Sequence, residues 1–187
     1  MSMSIFVAGD FHIPSRATMM LPEFENILKS KKWDYIVLTG DYTLPAVIEH
    51  FIPFVKTARH LFACRGNMDR FFLEEQLTFS VYDLTFGVYH GTAIHPRGDI
   101  AQLKSLAQKL KAKILFTGHT HQQLVHFKND CLLLNPGTAT GASGGSSWTV
   151  DTGILTLEVS KDKTIAVKQI SLSDGYKLQT VEQSFQL

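Results

Sequence analysis

The chain has 187 residues, of which 44% are hydrophobic and 19% are charged, so we expect a globular protein with a sizeable core. The formal net charge is +1 and there is no stripe of basic residues, which argues against a nucleic-acid-binding surface. No apolar run approaches membrane-spanning length, and the N-terminus lacks the pattern of a signal peptide. We therefore expect a cytoplasmic protein that reaches membranes only through partners.

The first half of the chain alternates short apolar runs with amphipathic segments. The runs at 5–8, 35–38 and 61–64 predict buried strands, because each is short, apolar and followed by glycine or another turn residue. Apolar residues at helical spacing predict helices between these strands, over 21–31 and 45–57.

The middle of the chain continues the alternation of strands and helices. Two strands are predicted near 77–82 and 85–89. The segment from Ile100 to Leu110 carries its apolar residues on one face, with Asp99 suited to cap it, and is therefore predicted to be a helix. A strand over 113–117 follows.

The remainder is rich in strands, so an α/β fold with two packed mixed β-sheets flanked by helices is expected. Gly141 to Ser147 is predicted to be a flexible loop. Trp148 after it is expected to anchor packing, although a loop beside a cleft could also use it against a partner or substrate. There is no repeat and no domain boundary, so residues 1–187 are predicted to form one domain. The last strands are predicted at 123–127, 131–134, 153–159, 164–170 and 176–181.

The two cysteines, Cys64 and Cys131, each lie inside an apolar run. We predict two buried thiols in a reducing compartment rather than a disulfide.

Polar side chains follow five of the predicted strands. Loops at the carboxyl ends of strands converge in open α/β sheets, so these side chains are expected to meet. Seven nitrogen and oxygen donors are too many for one ion but suit two ions that share a bridging carboxylate. Imidazole together with carboxylate and amide oxygen favours manganese, iron or zinc over magnesium or calcium. The predicted ligands are Asp10, His12, Asp41, Asn67, His90, His119 and His121.

Each part of this set also has an ordinary interpretation. Asp10 and His12 could belong to a turn or a helix cap, and Asp41 or Asn67, each after a glycine, could be turn residues. His90 could be a core histidine with a satisfied hydrogen bond. The metal site is favoured because all five stretches occur together and in one order. Two ions about 3.5–4 Å apart can clamp a phosphate and activate a water between them.

That order resembles the calcineurin-like metallophosphoesterase superfamily, whose pattern is D-x-H, G-D, G-N-H-[DE], H and G-H-x-H, here within residues 5–121. The resemblance implies an α-β-β-α sandwich and two metal ions. One ion would take Asp10, His12 and His121, and the other would take Asn67, His90 and His119, with Asp41 bridging.

One position departs from this superfamily's pattern. Its catalytic histidine follows the asparagine, where this chain has Met68, and a thioether cannot donate a proton to a leaving group. Loss of a general acid costs about 10²–10⁴ in rate. Thr92 stands where many small phosphodiesterases of this kind carry a second histidine. No catalytic residue is therefore assigned, and the resemblance leaves activity uncertain.

A closer resemblance links nearly the whole chain to the vacuolar protein sorting 29 family, the phosphoesterase-fold subunits of the endosomal sorting complex retromer. It rests on GDFHIPSR at 9–16, RGDIA at 97–101, GHTH at 118–121, NPGTATGA at 135–142 and LSDGYK at 172–177. Members of this family are generally regarded as scaffolds. The resemblance therefore implies a cytoplasmic protein recruited to endosomes, with other retromer and regulatory proteins as partners.

The same resemblance implies a docking surface beside the metal site. The family's metal side binds the C-terminal α-solenoid of the large retromer subunit, the vacuolar protein sorting 35 protein. The corresponding loop here contains Ile94, His95, Pro96 and Arg97, in which Ile94 is either an apolar anchor for the partner or a buried loop anchor. On a second, regulator-binding surface, strand alternation predicts that Thr156 is exposed.

Two hypotheses follow from these residues. The first is a non-catalytic retromer scaffold, which Met68 and the whole-chain resemblance favour. The second is a metal-dependent phosphodiesterase or phosphatase, which the complete set of seven ligands supports.

Overall fold

The computed structural model describes residues 2–144, 150–173 and 177–187. The predicted loop 141–147 lies partly outside these residues, and Trp148 lies wholly outside them. Residue 176, where the last strand was predicted to begin, is also outside the described part of the chain.

The first sheet is built around β1, whose apolar run was the first strand predicted. β1 pairs in parallel with β2 and antiparallel with β9, so the sheet is mixed, with strand order β11-β10-β9-β1-β2-β3. In chain order its strands are β1 (Ser2–Ala8), β2 (Tyr35–Leu38), β3 (Leu61–Ala63), β9 (Gly153–Ser160), β10 (Thr164–Ser173) and β11 (Lys177–Gln186).

The second sheet has five strands in the order β4-β5-β6-β8-β7, and it too is mixed. β5, β6 and β8 run parallel, while the hairpins β4–β5 and β7–β8 add antiparallel strands at the two edges. Its strands are β4 (Gln76–Val81), β5 (Leu84–Tyr89), β6 (Ile114–Phe116), β7 (Gln123–Lys128) and β8 (Cys131–Pro136). The predicted α/β fold of two packed mixed sheets is confirmed.

Alternation along the strands divides the core into layers. Ile5 and Val7 of β1 belong to the cluster that fills the space between the sheets, together with Phe86 and Phe116 of the second sheet. Phe6, between them, points to the opposite face of the first sheet. There it is buried among residues of the first helix.

In the described part of the chain, three α-helices flank the sheets: α1 (Pro22–Lys29), α2 (Pro45–Glu49) and α3 (Ile100–Lys109). α1 buries Phe24 and Leu28 against the outer face of the first sheet. α3 begins as predicted, because the Asp99 side chain accepts a hydrogen bond of 2.8 Å from the amide of Gln102.

The predicted helix over 45–57 is wrong, since only Pro45–Glu49 is α-helical. Two short 3₁₀ turns, Ile52–Phe54 and Ala58–His60, replace the rest. Pro53 has no amide hydrogen to donate within a helix, and its ring clashes with the preceding turn.

Thr156 was predicted to be exposed, and this is also wrong, because it is only 9% accessible. It pairs with Phe6 of β1 and with Lys168 of β10. Its side chain therefore lies on the outer face of the first sheet, as the alternation requires. That face is covered, because Phe6 and Ile154 on it are buried beneath α1.

Cys64 and Cys131 are both buried and free, as predicted. Among the described residues, no helix has the length and apolar character needed to cross a bilayer.

Candidate metal centre

The loops that follow β1 and β2 are joined by backbone hydrogen bonds. The amide of Asp10 donates to the carbonyl of Gly40 at 3.0 Å, and the amide of His12 donates to the carbonyl of Asp41 at 2.8 Å. Gly40 has φ +102°, and a Cβ there would lie 2.7 Å from Nδ1 of His90. Only glycine fits this position without displacing the imidazole.

A first group of ligand atoms comes from Asp10, His12 and His121, all of which are buried. Nε2 of His12 lies 3.1 Å from Nε2 of His121, which in turn lies 3.3 Å from Oδ1 of Asp10. This spacing allows all three side chains to bind one cation.

A second group comes from Asp10, Asp41 and His90, which are equally buried. Nε2 of His90 lies 3.5 Å from Oδ2 of Asp41 and 4.0 Å from Oδ1 of Asp10. Oδ2 of Asp41 is also 3.4 Å from Nε2 of His12. Asp41 therefore lies between the two groups, where the superfamily's scheme expects a bridging carboxylate, and Asp10 belongs to both groups.

Two backbone carbonyls orient the imidazoles. Nδ1 of His90 is 2.7 Å from the carbonyl of Thr39, and Nδ1 of His121 is 2.7 Å from the carbonyl of Ala142. A carbonyl only accepts, so each Nδ1 carries a hydrogen, and Nε2 is the nitrogen that faces the cavity and can bind a metal once it carries no proton. Metal-binding histidines are oriented in the same way.

The described residues leave two ring nitrogens of this cluster buried without a hydrogen-bond partner, Nε2 of His90 and Nδ1 of His12. Burial of an unsatisfied polar atom is costly, and Nε2 of His90 faces two carboxylates across distances too long for good hydrogen bonds. A cation bound among these three side chains would satisfy that nitrogen. The residues therefore fit a divalent metal.

The electrostatics of the metal-free cluster couple one imidazole to two carboxylates. Although burial opposes it, the interaction with Asp41 and the charge of Asp10 raise the pKa of His90 to about 9. The pKa of Asp41 is lowered to about 2 by His90, also against the effect of burial. Burial raises the pKa of Asp10. His90 is thus an imidazolium at neutral pH when no metal is bound.

His12 and His119 behave in the opposite way. Burial lowers the pKa of each to about 4. Both rings are therefore neutral at physiological pH and offer a lone pair to a metal.

Two predicted ligands, Asn67 and His119, line the same cavity, and His119 lies outside both groups of ligand atoms. The amide of His119 donates to Oδ2 of Asp10 at 3.0 Å, and its ring meets that of His90 edge-on at 5.1 Å. The group around His90 contains both aspartates, and Asn67 and His119 border the cavity beside it.

Asp69, which the sequence did not single out, supports the loops that carry the predicted ligands. Its Oδ1 accepts from the amides of Tyr42 and Thr43 at 2.7 and 2.9 Å, and its Oδ2 accepts from Asp41 and Gly66 at 3.0 and 2.8 Å. One buried carboxylate therefore ties together the loops after β2 and β3. Its place in the G-N-H-[DE] motif was the available signal, but nothing in the sequence reveals which amides it holds.

Met68 contributes through its backbone. Its amide donates to Oδ1 of Asp41 at 2.8 Å, which helps to fix that carboxylate. Nearby Arg65 forms an exposed ion pair with Glu75.

The cavity among the ligands has a volume of about 50 Å³, and it is also lined by Arg16 and Arg97. Neither arginine was predicted to face the ligands. Of the four candidate partner-binding residues, Ile94 is buried, with 7% exposed, and packs with Tyr89 and Leu103. His95, Pro96 and Arg97 are exposed.

The family model of the calcineurin-like phosphoesterase superfamily matches residues 3–162. The chain therefore belongs to the calcineurin-like phosphoesterase superfamily. A "Probable metallophosphoesterase" of Methanocaldococcus jannaschii is 32% identical to it over 143 residues, which cover 74% of this chain and 69% of that protein.

Within this superfamily the chain is similar to vacuolar protein sorting 29 proteins, which confirms the resemblance in the motifs. The structure of Vacuolar Protein Sorting 29 from Cryptosporidium parvum covers 100% of this chain and 99% of its own, with 25% identity and a TM-score of 0.91. A single mutant of Vps29 from Entamoeba histolytica matches with 26% identity, a TM-score of 0.86 and coverage of 98% and 99%. The wild-type Entamoeba protein, complexed with zinc, matches with 24% identity, a TM-score of 0.86 and coverage of 97% and 99%.

Proposed function

We propose that this protein is a retromer subunit, a scaffold that binds the C-terminal α-solenoid of the large retromer subunit during cargo sorting from endosomes. The observation that carries the proposal is the structural similarity to a Vacuolar Protein Sorting 29 across the entire chain. Met68 at the general-acid position supports a role in binding rather than in turnover. Under this proposal the protein is cytoplasmic and joins endosomes through its partners, and residues 1–187 act as one domain.

The docking surface is the exposed part of the loop between β5 and α3. His95, Pro96 and Arg97 are exposed, whereas Ile94 is buried beneath them. Ile94 thus holds the loop against α3, and the partner contacts the exposed residues His95, Pro96 and Arg97. This favours the second of the two roles considered for Ile94, that of a buried loop anchor.

In this proposal the metal centre organises the docking face. Asp10, His12 and His121 would hold one divalent ion, and Asp41 and His90 would hold a second ion with Asp10. Asn67 and His119 would complete the site from the walls of the cavity. Manganese, zinc and iron suit this donor set, and the zinc complex of the Entamoeba protein supports zinc.

The test is a pull-down of a C-terminal fragment of the large retromer subunit by the purified protein. We expect binding, and we expect His95→Asp to weaken it by about tenfold, as loss of a central contact does. Lys161→Glu is the matched control, because Lys161 lies in the β9–β10 turn at the opposite end of the first sheet. Absence of binding with manganese, with zinc and with chelator would contradict the scaffold proposal.

A second candidate function is a metal-dependent phosphodiesterase or phosphatase. It is favoured by one observation, the buried Nε2 of His90 that faces two carboxylates and lacks a hydrogen-bond partner among the described residues. Two ions held there would supply positive charge beside a phosphate ester. The chain itself would orient the ligand rings through the carbonyls of Thr39 and Ala142, but Met68 offers no proton to the leaving group.

The assay is hydrolysis of an aryl phosphodiester with and without manganese. An enzyme would be stimulated by the metal, and Asp41→Ala or His119→Ala would abolish the stimulated rate. Turnover equal to that of the metal alone would exclude this function while leaving the scaffold proposal intact.

A further inference from the structure

Two arginines outside the ligand motifs line the candidate metal cavity. Arg16 lies in the loop that follows His12, and Arg97 lies in the docking loop. Both side chains are exposed, whereas the ligands His12 and His121 that line the same cavity are buried. The two guanidinium groups therefore stand where a ligand would enter from solvent.

Both guanidinium groups line the same cavity as the predicted ligands His12 and His119. Nη1 of Arg16 is held by a hydrogen bond of 2.7 Å to the carbonyl of Ser143. The two positive charges therefore border the cavity in which the ligands meet.

Neither arginine forms a salt bridge with a carboxylate in the part of the chain that the structure describes. Arg65 provides a contrast, because it also stands close to a ligand loop but pairs with Glu75. Arg16 and Arg97 keep donors that no carboxylate of the described chain occupies. A guanidinium group matches the oxygen atoms of a phosphate in a forked, two-point contact.

We propose that Arg16 and Arg97 make the metal cavity selective for a doubly charged tetrahedral oxyanion, such as a phosphate monoester group, over a singly charged diester. The second negative charge strengthens the attraction to each guanidinium group, and the additional free oxygen offers it one more hydrogen-bond acceptor. The oxyanion would bind in the cavity that both arginines and the predicted ligands line. This inference rests on the proposed metal centre, because without cations Asp10 and Asp41 would repel the oxyanion.

The test compares two phosphonates that share the same phenyl–phosphorus bond and differ in charge. Phenylphosphonate is doubly charged at mildly alkaline pH, and its monomethyl ester carries a single charge. Each is titrated calorimetrically into the full-length protein loaded with manganese. We expect the wild-type protein to prefer phenylphosphonate. Arg16→Gln and Arg97→Gln should each lower that affinity by about tenfold, the effect of losing one charge-assisted contact, and should change the affinity for the ester less.

Arg65→Gln is the control and should leave both affinities unchanged. Titration of manganese alone into each variant distinguishes a loss of metal binding from a loss of oxyanion preference. If manganese binds but both arginine variants keep the wild-type preference, the inference is overturned and the metal centre stands. If the wild-type protein takes up no manganese, the metal centre and the inference fail together.

Discussion

Two of the regions of this protein that contain left-handed backbone use it for different purposes. The hairpin turns Tyr82–Asp83 and Asn129–Asp130 contain two successive residues with positive φ, the geometry that best joins twisted antiparallel strands. At the carboxyl edge of the sheets, the non-glycine residues with positive φ do not adjoin one another. They are Asp10, His12, Asp41, Thr43, His119 and His121, with φ between 49° and 78°.

In the turns, the left-handed conformation is compensated locally, by the strand pairing that the turn permits. At the carboxyl edge, five of these six residues are predicted metal ligands, and the left-handed conformation aims their side chains. Such conformations cost about 1–3 kcal/mol each and persist only where surrounding contacts hold them. The contacts that hold the ligand loops, above all those of Asp69, should therefore matter for metal binding in a way that the turns do not.

The largest effect is expected for Asp69→Asn. The side-chain NH₂ of asparagine would face two of the four backbone N–H groups from which Asp69 now accepts hydrogen bonds. Because two donors would then oppose one another, we expect the free energy of unfolding to fall by about 2–3 kcal/mol. Metal affinity should fall by about 10–100-fold, because the loop that carries Asp41 loses its support. Chemical unfolding and manganese titration measure the two effects.

Asp83→Asn is the matched control for this change, since Asp83 is an exposed aspartate in a hairpin turn. It should alter stability by less than about 0.5 kcal/mol and leave metal affinity unchanged. Equal behaviour of the two variants would remove the distinction between the two regions.

The next effect is a pH dependence that belongs to the carboxyl edge. Since Asp41 and Asp10 raise the pKa of His90 to about 9, metal must displace a proton from this ring at neutral pH. Manganese affinity should therefore rise about tenfold per pH unit from neutrality toward that pKa and level off above it. His12 and His119 have no proton to lose in this range, because the pKa of each is about 4.

Calorimetry in two buffers of different ionisation enthalpy tests this directly and should report about one proton released per protein. In the metal-free protein the raised pKa of His90 stabilises the fold below the ordinary histidine pKa, and this contribution is lost as the pH rises through about 9. A metal affinity that does not change between neutral pH and that value would contradict the assignment of His90.

The smallest effect is expected in the β7–β8 turn. Asp130→Gly creates Asn-Gly, the preferred pair for a turn with two positive φ values, and removes left-handed strain of about 1 kcal/mol. Part of that gain is offset by the freedom of glycine in the unfolded chain, so we expect a Tm increase of about 2 °C. Metal affinity should not change. A measurable change in metal binding would mean that this end of the sheet is coupled to the site.

The sequence was a good guide where the structure depends on local pattern. Short apolar runs predicted the strands of both sheets, and Asp99 marked the start of α3. Periodicity failed where local chemistry competed with it, as at Pro53, where a proline ends a segment that otherwise has helical spacing. It also failed at Thr156, because alternation fixes the direction of a side chain but not what covers that face.

The ligand set could be proposed from sequence because each member directly follows a predicted strand. The residues around it could not. Asp69 acts on backbone amides, which every residue carries, and Arg16 and Arg97 reach the cavity only through the paths of their loops. Ile94 is apolar in either of its two proposed roles, so only its burial distinguishes them.

Cys64 directly follows β3 and leads into the Asn67 loop, and burial raises the pKa of its thiol far above that of a free cysteine. Cys131 opens β8 in the other sheet, and burial raises its pKa as well. Because both thiols are buried, each should react slowly with a maleimide until the structure around it opens. The rates at which a maleimide labels Cys64 and Cys131 would therefore report opening near β3 and near β8 separately. Comparing these rates with and without manganese would show whether a bound ion slows either opening.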